Sequence, residues 1–441
     1  MIAETAANLR RRQKWAVCFL LLLAIGEFSF RGPVRAFHQS NFNDFISPFI
    51  QTNVWLSGED PYDPQVFARF WPPEAKPPDF VRRESRDGSL PARRGIPSPY
   101  PPTAFPLLTP FALLHWFVAI RLWILATLAA FGIVVYNLIV LAKIQPADRK
   151  TIFVVIAALM LAPFHTVIAV SNIVLVVYAL GFLAVMRTEQ QRYISSGFFL
   201  AAAIGLKPTA ALCFLIYCAF RRRGAWRVVP PTLAGCFVLF SLADGRMLVA
   251  GAHWVGSYLL NTHRMFAAGA INDYDSANPA RFDLLNLQLA FFPLFRSRLG
   301  ANVFAWLVAC MGFGCWISSL RQRMLKTDEL LNLAILATIT LLPFYHRFTD
   351  GCILLPAVVW SIRELGRSRT FIARAILALA VPFLVPGAAA LQSFVSSNAR
   401  IGILAQNWWW QSFIAPYQVW LILAISVLLL FAQQGTSNSA A

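Results

Sequence analysis

The sequence predicts an all-α protein that crosses a membrane many times. Three observations carry this. Of the 441 residues, 58% are hydrophobic and 13% charged, about half the charged share of a soluble domain. Apolar runs recur along nearly the whole chain. Helices are the default way to cross hydrocarbon, because they satisfy every backbone polar group internally. Basic residues gather at alternate ends of those runs, the pattern that orients a membrane protein with its positive loops inside.

The first run, near 14–30, follows Arg10, Arg11, Arg12 and Lys14, which places the N-terminus in the cytoplasm. Gly26-Glu27-Phe28 is not a small-x-small cleavage site, so the run reads as a retained helix. A long outer segment, 31–117, follows, with 13 of the 27 prolines lying between Pro61 and Pro110. Within it, Phe45 to Leu56 reads as a helix lying on the surface, and Gly58 to Pro64 as a turn. The polar stretch from Pro72 to Gly95 is expected to be mobile. Tyr100-Pro101-Pro102 leads back into apolar sequence.

Further spans are expected near 118–142, 151–169 and 172–187. Two short runs, 193–206 and 208–220, meet at Lys207-Pro208. Proline cannot continue a helix interior, so they read as a hairpin with Lys207 at its outer turn. A span near 228–243 precedes a second outer segment, 244–299. Spans near 300–320, 330–345, 351–363, 375–396 and 414–433 complete the count. Twelve spans return the C-terminus to the cytoplasm and put every basic cluster inside. The chain then reads as one domain, 1–433, with a disordered tail, 434–441. Trp408, Trp409 and Trp410 read as an interfacial aromatic belt. The seven cysteines all fall in apolar runs and read as packing residues rather than a disulfide framework.

The formal charge of +18 would suggest a nucleic-acid partner in a soluble protein. Here 20 of the 38 basic residues lie in the clusters at helix ends. The charge therefore sets orientation, and the expected surroundings are a lipid bilayer with no nucleic acid.

Few polar groups are candidates for chemistry. Asp44 lies just beyond the first span. On the residues alone it reads first as a loop charge or the N-cap of a helix, and alternatively as a carboxylate placed to deprotonate a hydroxyl arriving from the water side. His346, Arg347 and Asp350 follow an apolar span, where three polar groups are costly without a role. An arginine fork there suits a phosphate; the plainer reading is a snorkelling Arg347 paired with Asp350. Lys207 is either a phosphate contact or an interface lysine. Asn172 is a possible site-lining group, as are His38 and His165. Tyr62 and Tyr100 either stack on a sugar or brace the loop, bracing being preferred. Glu27 reads as an outer-end acid. No helical His-x-x-x-His pair or compact carboxylate cluster appears. The one Asp-x-Asp, Asp273-Tyr274-Asp275, reads as solvated charge, so neither a metal nor a cofactor is expected.

Four stretches, in this order, carry a resemblance: Asn43 to Pro64 (NDFISPFIQTNVWLSGEDPYDP), Tyr100 to Leu114 (YPPTAFPLLTPFALL), Gly197 to Arg227 (GFFLAAAIGLKPTAALCFLIYCAFRRRGAWR) and Leu341 to Leu355 (LLPFYHRFTDGCILL). Together they resemble glycosyltransferase family 87, integral-membrane enzymes of the GT-C class. The resemblance implies a GT-C fold with about 12 transmembrane helices and a long first extracytoplasmic loop. It implies an α-mannosyltransferase-like enzyme of the inner (plasma) membrane, using a polyprenyl-phosphate sugar and acting on an extracytoplasmic glycan or glycolipid. By the same likeness Asp44 is the catalytic base; the reading of the residues adds Arg347, His346 and Lys207 as contacts of the donor phosphate, with Asp350, Asn172, Tyr62 and Tyr100 as possible site-lining groups. The chain departs from the pattern at Val170-Ser171-Asn172, where members often carry Gly-Gln before the Asn. The rival reading is a transporter or flippase-like protein. Transporters carry midplane sites in broken helices related by a repeat, and no repeat is visible here.

Overall fold

A computed structural model of the chain describes residues 2–38, 44–75, 97–221, 224–322, 328–385, 387–398 and 400–434. Most of the Pro- and charge-rich stretch of the first outer segment, and the tail from 435, lie outside the described residues. Among those described, the fold is helical throughout. The one strand-like pairing is an isolated antiparallel bridge between Leu284 and Arg347.

The first helix, α1 (Ile2–Ser29), continues through a π-helical turn at Phe30–Val34 and a last turn at Arg35–His38. Pro33 inside that turn removes a backbone donor, which accounts for the wider winding. The helix thus runs past Arg31, expected in the loop; Arg31 instead pairs with Glu27 one turn back, at 2.5 Å. Next come α2 (Ile46–Ser57), α3 (Pro64–Arg69), α4 (Ala104–Ala112) and α5 (Trp116–Leu141). Gly58 ends α2 in the left-handed conformation, φ 83°, and Asp63 caps α3 ahead of Pro64, so the expected turn is present.

One expectation fails here. Helix α2 does not lie on the surface, for Phe49, Ile50, Thr52, Val54 and Trp55 are all buried. It packs against α4, and the Trp55 indole donates to the carbonyl of Ala243 at 3.0 Å. The mixed polar pattern is internal, because Gln51 bonds the carbonyls of Ser98 and Pro61 instead of water.

The remainder runs α6 (Arg149–Met160), α7 (Ala162–Ala169), α8 (Val174–Glu189), α9 (Tyr193–Leu206), α10 (Pro208–Phe220), α11 (Val229–Val249), α12 (Trp254–Phe266), α13 (Leu287–Phe295) and α14 (Arg298–Gln322). Then come α15 (Glu329–Leu341), α16 (Leu355–Glu364), α17 (Thr370–Ala380), α18 (Ala388–Ser397) and α19 (Tyr417–Gln434). Helices stand wherever the apolar runs predicted them, but helix length and composition alone do not confirm twelve spans. Among the described residues, five helices are by themselves long and apolar enough to cross a membrane, or up to seven spans if two bent pairs, α6–α7 and α17–α18, each count once. Helices α9, α10 and α15 have 14, 13 and 13 residues. At ~1.5 Å per residue each reaches about 20 Å, short of a hydrocarbon core of ~30 Å. Helix α15 can be short because protein surrounds it. Every residue of α15 from Leu330 to Leu341 is buried, so its neighbours, not lipid, cover its ends.

The bundle has two chemically different ends. At one, Arg221 of the α10 C-terminus pairs with Glu189, closing α8, and Glu329, opening α15. The Tyr217 hydroxyl lies within hydrogen-bond distance of both carboxylates and gives its one proton to either. Nearby elements add Arg363 on Asp328 and Lys150 Nζ on the carbonyls of Arg363 and Leu365. These are the basic clusters of the sequence. The opposite ends of α8, α10, α15 and α16 carry Asn172, Lys207, Tyr345 and Asp350. Gly181, midway along α8, makes this bundle tight: a side chain there would run into the Phe214 ring of α10.

Candidate active site

Asp44 is held by the turn between α7 and α8. Its backbone N–H donates to the carbonyl of Val170 at 2.7 Å, and its Oδ2 accepts from Asn172 Nδ2 at 2.7 Å. The other end of the Asn172 amide, Oδ1, accepts from the Val174 N–H at 3.0 Å. Both ends of the amide are thus assigned, and its donor side must face the carboxylate. Ser171 between them adopts φ 54°, and its carbonyl accepts from the Trp123 indole at 2.9 Å. That indole stacks on Phe45, 4.3 Å between centroids and 7° between planes. One aromatic pair therefore locks both the residue after Asp44 and the turn that binds it.

Asp44 does not cap α2. The capping position is Phe45, without a side-chain bond, so the plain reading of this carboxylate as a helix cap fails. Burial pushes its carboxyl above the ordinary carboxylate range. The Asn172 bond and the Arg347 and Lys207 charges pull the other way without cancelling it, and the Asp350 charge adds to the rise.

A second group is assembled on the 3₁₀ helix Phe348–Leu354. Asp350 is fully buried. Its Oδ1 accepts from Lys207 Nζ at 2.6 Å. Its Oδ2 accepts from His346 Nδ1 at 3.0 Å and the Arg347 N–H at 3.1 Å. Burial alone would raise its carboxyl, but the Lys207 ammonium and the His346 ring outweigh it and hold the group well below its usual range. The Arg347–Asp350 ion pair of the plainer reading does not form. Lys207 takes that place, and the Arg347 guanidinium turns the other way: Nε to the Tyr345 hydroxyl at 2.5 Å, and Nη2 to Ile271 O and Asn272 Oδ1 at 3.3 Å each. Its Nη1 has no hydrogen-bond partner among the described residues. Position of the segment is set by the isolated bridge at Leu284, beside which the Leu285 N–H donates to His346 O at 2.8 Å.

Tyr62 and Tyr100 divide their tasks. Tyr62 is buried among Phe105, Trp254 and Tyr258, and its hydroxyl donates to the Tyr100 carbonyl at 2.6 Å. It braces the loop and does not reach the polar group. The Tyr100 side chain does, since Asp44, Tyr345, Asp350 and Arg347 all act on its hydroxyl. Asp44, Asn172, Lys207, His346, Arg347, Asp350 and Tyr100 thus gather at one end of the bundle. Glu27, His38 and His165 do not join them. They bond locally to Arg31, Val34 O and Leu159 O.

Three neighbours escaped the sequence reading. Tyr345 holds Arg347, and burial pushes its hydroxyl up to about 12. Asn272 holds the same guanidinium from the second outer segment. Asp283, half-buried, lies within the field of Arg347, and burial raises its carboxyl. Only Tyr345 had a signal, its place beside His346. Asp273 corrects another expectation, being buried rather than solvated. Its carboxylate accepts from the Gly269 N–H at 2.8 Å and pairs with Arg298 at 2.7 Å. No group of three or more His, Cys, Asp or Glu able to hold a metal occurs among the described residues.

The sequence pattern of glycosyltransferase family 87 matches residues 99–344, more than half of the chain. The chain belongs to glycosyltransferase family 87. Membership makes it a membrane glycosyltransferase and sets aside the transporter reading. The family 87 match takes in Tyr100, Asn172, Lys207, Asn272 and Asp283, begins after Asp44, and ends just before Tyr345. Comparisons with curated proteins and with solved structures give no match.

Proposed function

We propose that this family 87 member transfers a hexose, most concretely mannose, from polyprenyl phosphate to an extracytoplasmic glycan or glycolipid, with inversion at the anomeric carbon. The carrying observation is that Asp44, oriented by Asn172 and raised by burial, lies within the field of Arg347 and Lys207. An acceptor hydroxyl attacks poorly until a base takes its proton. Asp44 removes that proton as the hydroxyl oxygen bonds to the anomeric carbon. The bond from that carbon to the phosphate oxygen breaks, and its electron pair leaves with the polyprenyl phosphate. Arg347 meets the growing negative charge through its Nη1, which has no partner among the described residues. Asp350 holds Lys207 and His346 beside it. With Asp44 acting only as base there is one displacement, hence inversion.

The outward orientation rests on charge. The site is at the end of the bundle away from Arg221, Arg363 and Lys150, and basic clusters stay in the cytoplasm. The donor's chain would enter laterally from the bilayer while the acceptor arrives from water.

The decisive experiment is sugar transfer from radiolabelled polyprenyl-phosphate mannose into membrane glycolipid, with the wild type beside Asp44→Asn and Arg347→Ala. Asp44→Asn keeps the Asn172 contact and removes the base, so the rate should fall roughly 10²–10⁴-fold in a folded protein. Arg347→Ala should raise the KM for the donor, since its charge meets phosphate before and during reaction. Near wild-type transfer by Asp44→Asn would remove Asp44 from the role of base.

A further inference from the structure

A cavity of about 320 Å³ opens beside the Arg347 clamp. It shares two walls with that clamp, Tyr345 and Asn272, both of which bond the guanidinium. The rest is lined by Asn286, Gln288, Asn302 and Tyr274, with Phe266 and the Arg298–Asp273 pair at its sides. Its volume is at the low end of small-molecule sites, which begin near ~300 Å³.

The lining is unusual in what it leaves unbonded. Asn272, Asn286 and Gln288 are 6%, 4% and 5% exposed. Each amide has one end engaged: Asn272 Oδ1 on Arg347, Asn286 Oδ1 on the Leu289 N–H, Gln288 Nε2 on Pro343 O. The other ends, Asn272 Nδ2 and Asn286 Nδ2, have no hydrogen-bond partner among the described residues. Gln288 Oε1 is buried without one. Asn302, at the exposed rim, likewise gives Oδ1 to the Tyr274 hydroxyl and leaves Nδ2 unpaired. A buried polar atom without a partner, here Gln288 Oε1, is rare in folded proteins, and the other free amide ends remain open to a ligand or to water.

We infer that this cavity is a carbohydrate subsite taking one pyranose- or furanose-sized ring. Three amide donors, Asn272, Asn286 and Asn302 Nδ2, held by their other ends, match the acceptor lone pairs of a ring bearing hydroxyls. Tyr274, Tyr345 and Phe266 supply aromatic surface for the C–H face of such a ring. An acyl chain would leave the same amides unpaired at a cost. The inference rests on the glycosyltransferase reading above for its biological use but not for its chemistry. The ring belongs either to the acceptor glycan or to the sugar being transferred.

The test uses the purified full-length chain in detergent. Saturation-transfer NMR is run with the methyl glycosides of mannose, glucose, galactose and arabinofuranose. The variants are Asn286→Asp, which retains the helix-capping oxygen and removes the free donor, and Asn302→Ala at the exposed rim. At least one glycoside should receive saturation from the wild type, and its Kd should rise about tenfold in Asn286→Asp. No signal from any glycoside, or equal binding by both variants, overturns the subsite and leaves the amides to water. In the transfer assay, an acceptor KM raised about tenfold in Asn286→Asp assigns the acceptor glycan, and a raised donor KM assigns the transferred sugar. If neither KM moves while transfer persists, the subsite is wrong and the transferase reading stands. A wild type that transfers nothing sinks the polyprenyl-phosphate reading, and the NMR result still decides the cavity.

Discussion

Asp44 makes a pH-dependent catalyst with a definite sign. A base acts when ionised, so activity is lost as pH falls through its pKa, which burial has raised. The Asn172 bond opposes that rise. Asn172→Ala should therefore lower kcat/KM and move the acid limb of the pH profile upward; an unmoved limb would separate Asn172 from the base. The same shift has a stability consequence. A carboxyl raised in the folded state contributes stability that is complete below its unfolded pKa and fades as pH rises through the folded value. At neutral pH ionised Asp44 is thus a cost to the fold, and Asp44→Asn should melt no lower than wild type. Little of this arrangement was legible beforehand. Asp44 and Asn172 are 128 residues apart, and nothing local to either announces the other.

At the scale of elements, Lys207 and Asp350 tie the α9–α10 junction to the 3₁₀ helix before α16. The lysine side chain is 19% exposed and the carboxylate 0%. Removing one partner strands a buried charge, at a cost of roughly 3–5 kcal/mol. Lys207→Met alone should therefore lower the thermal midpoint strongly. Adding Asp350→Leu should recover much of it, though Arg347 and His346 lose their anchor. A double mutant no more stable than Lys207→Met would show that the pair does not carry that load. Helices α9 and α10 themselves were readable to the residue, because Lys207-Pro208 ends one and starts the next. The burial of α2 was not. Its polar residues suggested a surface, and only the Ser98, Pro61 and Ala243 carbonyls that its Gln51 and Trp55 side chains bond make it an interior helix.

For the whole molecule, the two ends of the bundle predict sidedness. With the basic end in the cytoplasm, a cysteine at Gln190 should resist a membrane-impermeant thiol reagent in spheroplasts, and one at Ser276 should react. Both positions are exposed. The background is a chain with its native cysteines replaced, needed because Cys18, Cys310 and Cys315 are exposed free thiols. Reversed labelling would turn the protein over and carry the outward-facing chemistry with it.

The sequence by itself determined that this chain is helical, that it lives in a membrane and where its helices stand. Apolar runs, prolines and basic clusters are local signals, and hydrocarbon leaves the backbone few alternatives. It also singled out most of the polar residues that meet at the site, since a charge beside an apolar run stands out. Only the tertiary structure shows that α15 is buried from Leu330 to Leu341 and need not match the bilayer. It alone decided the partners: Lys207, not Arg347, neutralises Asp350, and Arg347 is held by Asn272 and Tyr345. Those choices follow from which helix ends pack together, a long-range fact that no window of sequence contains.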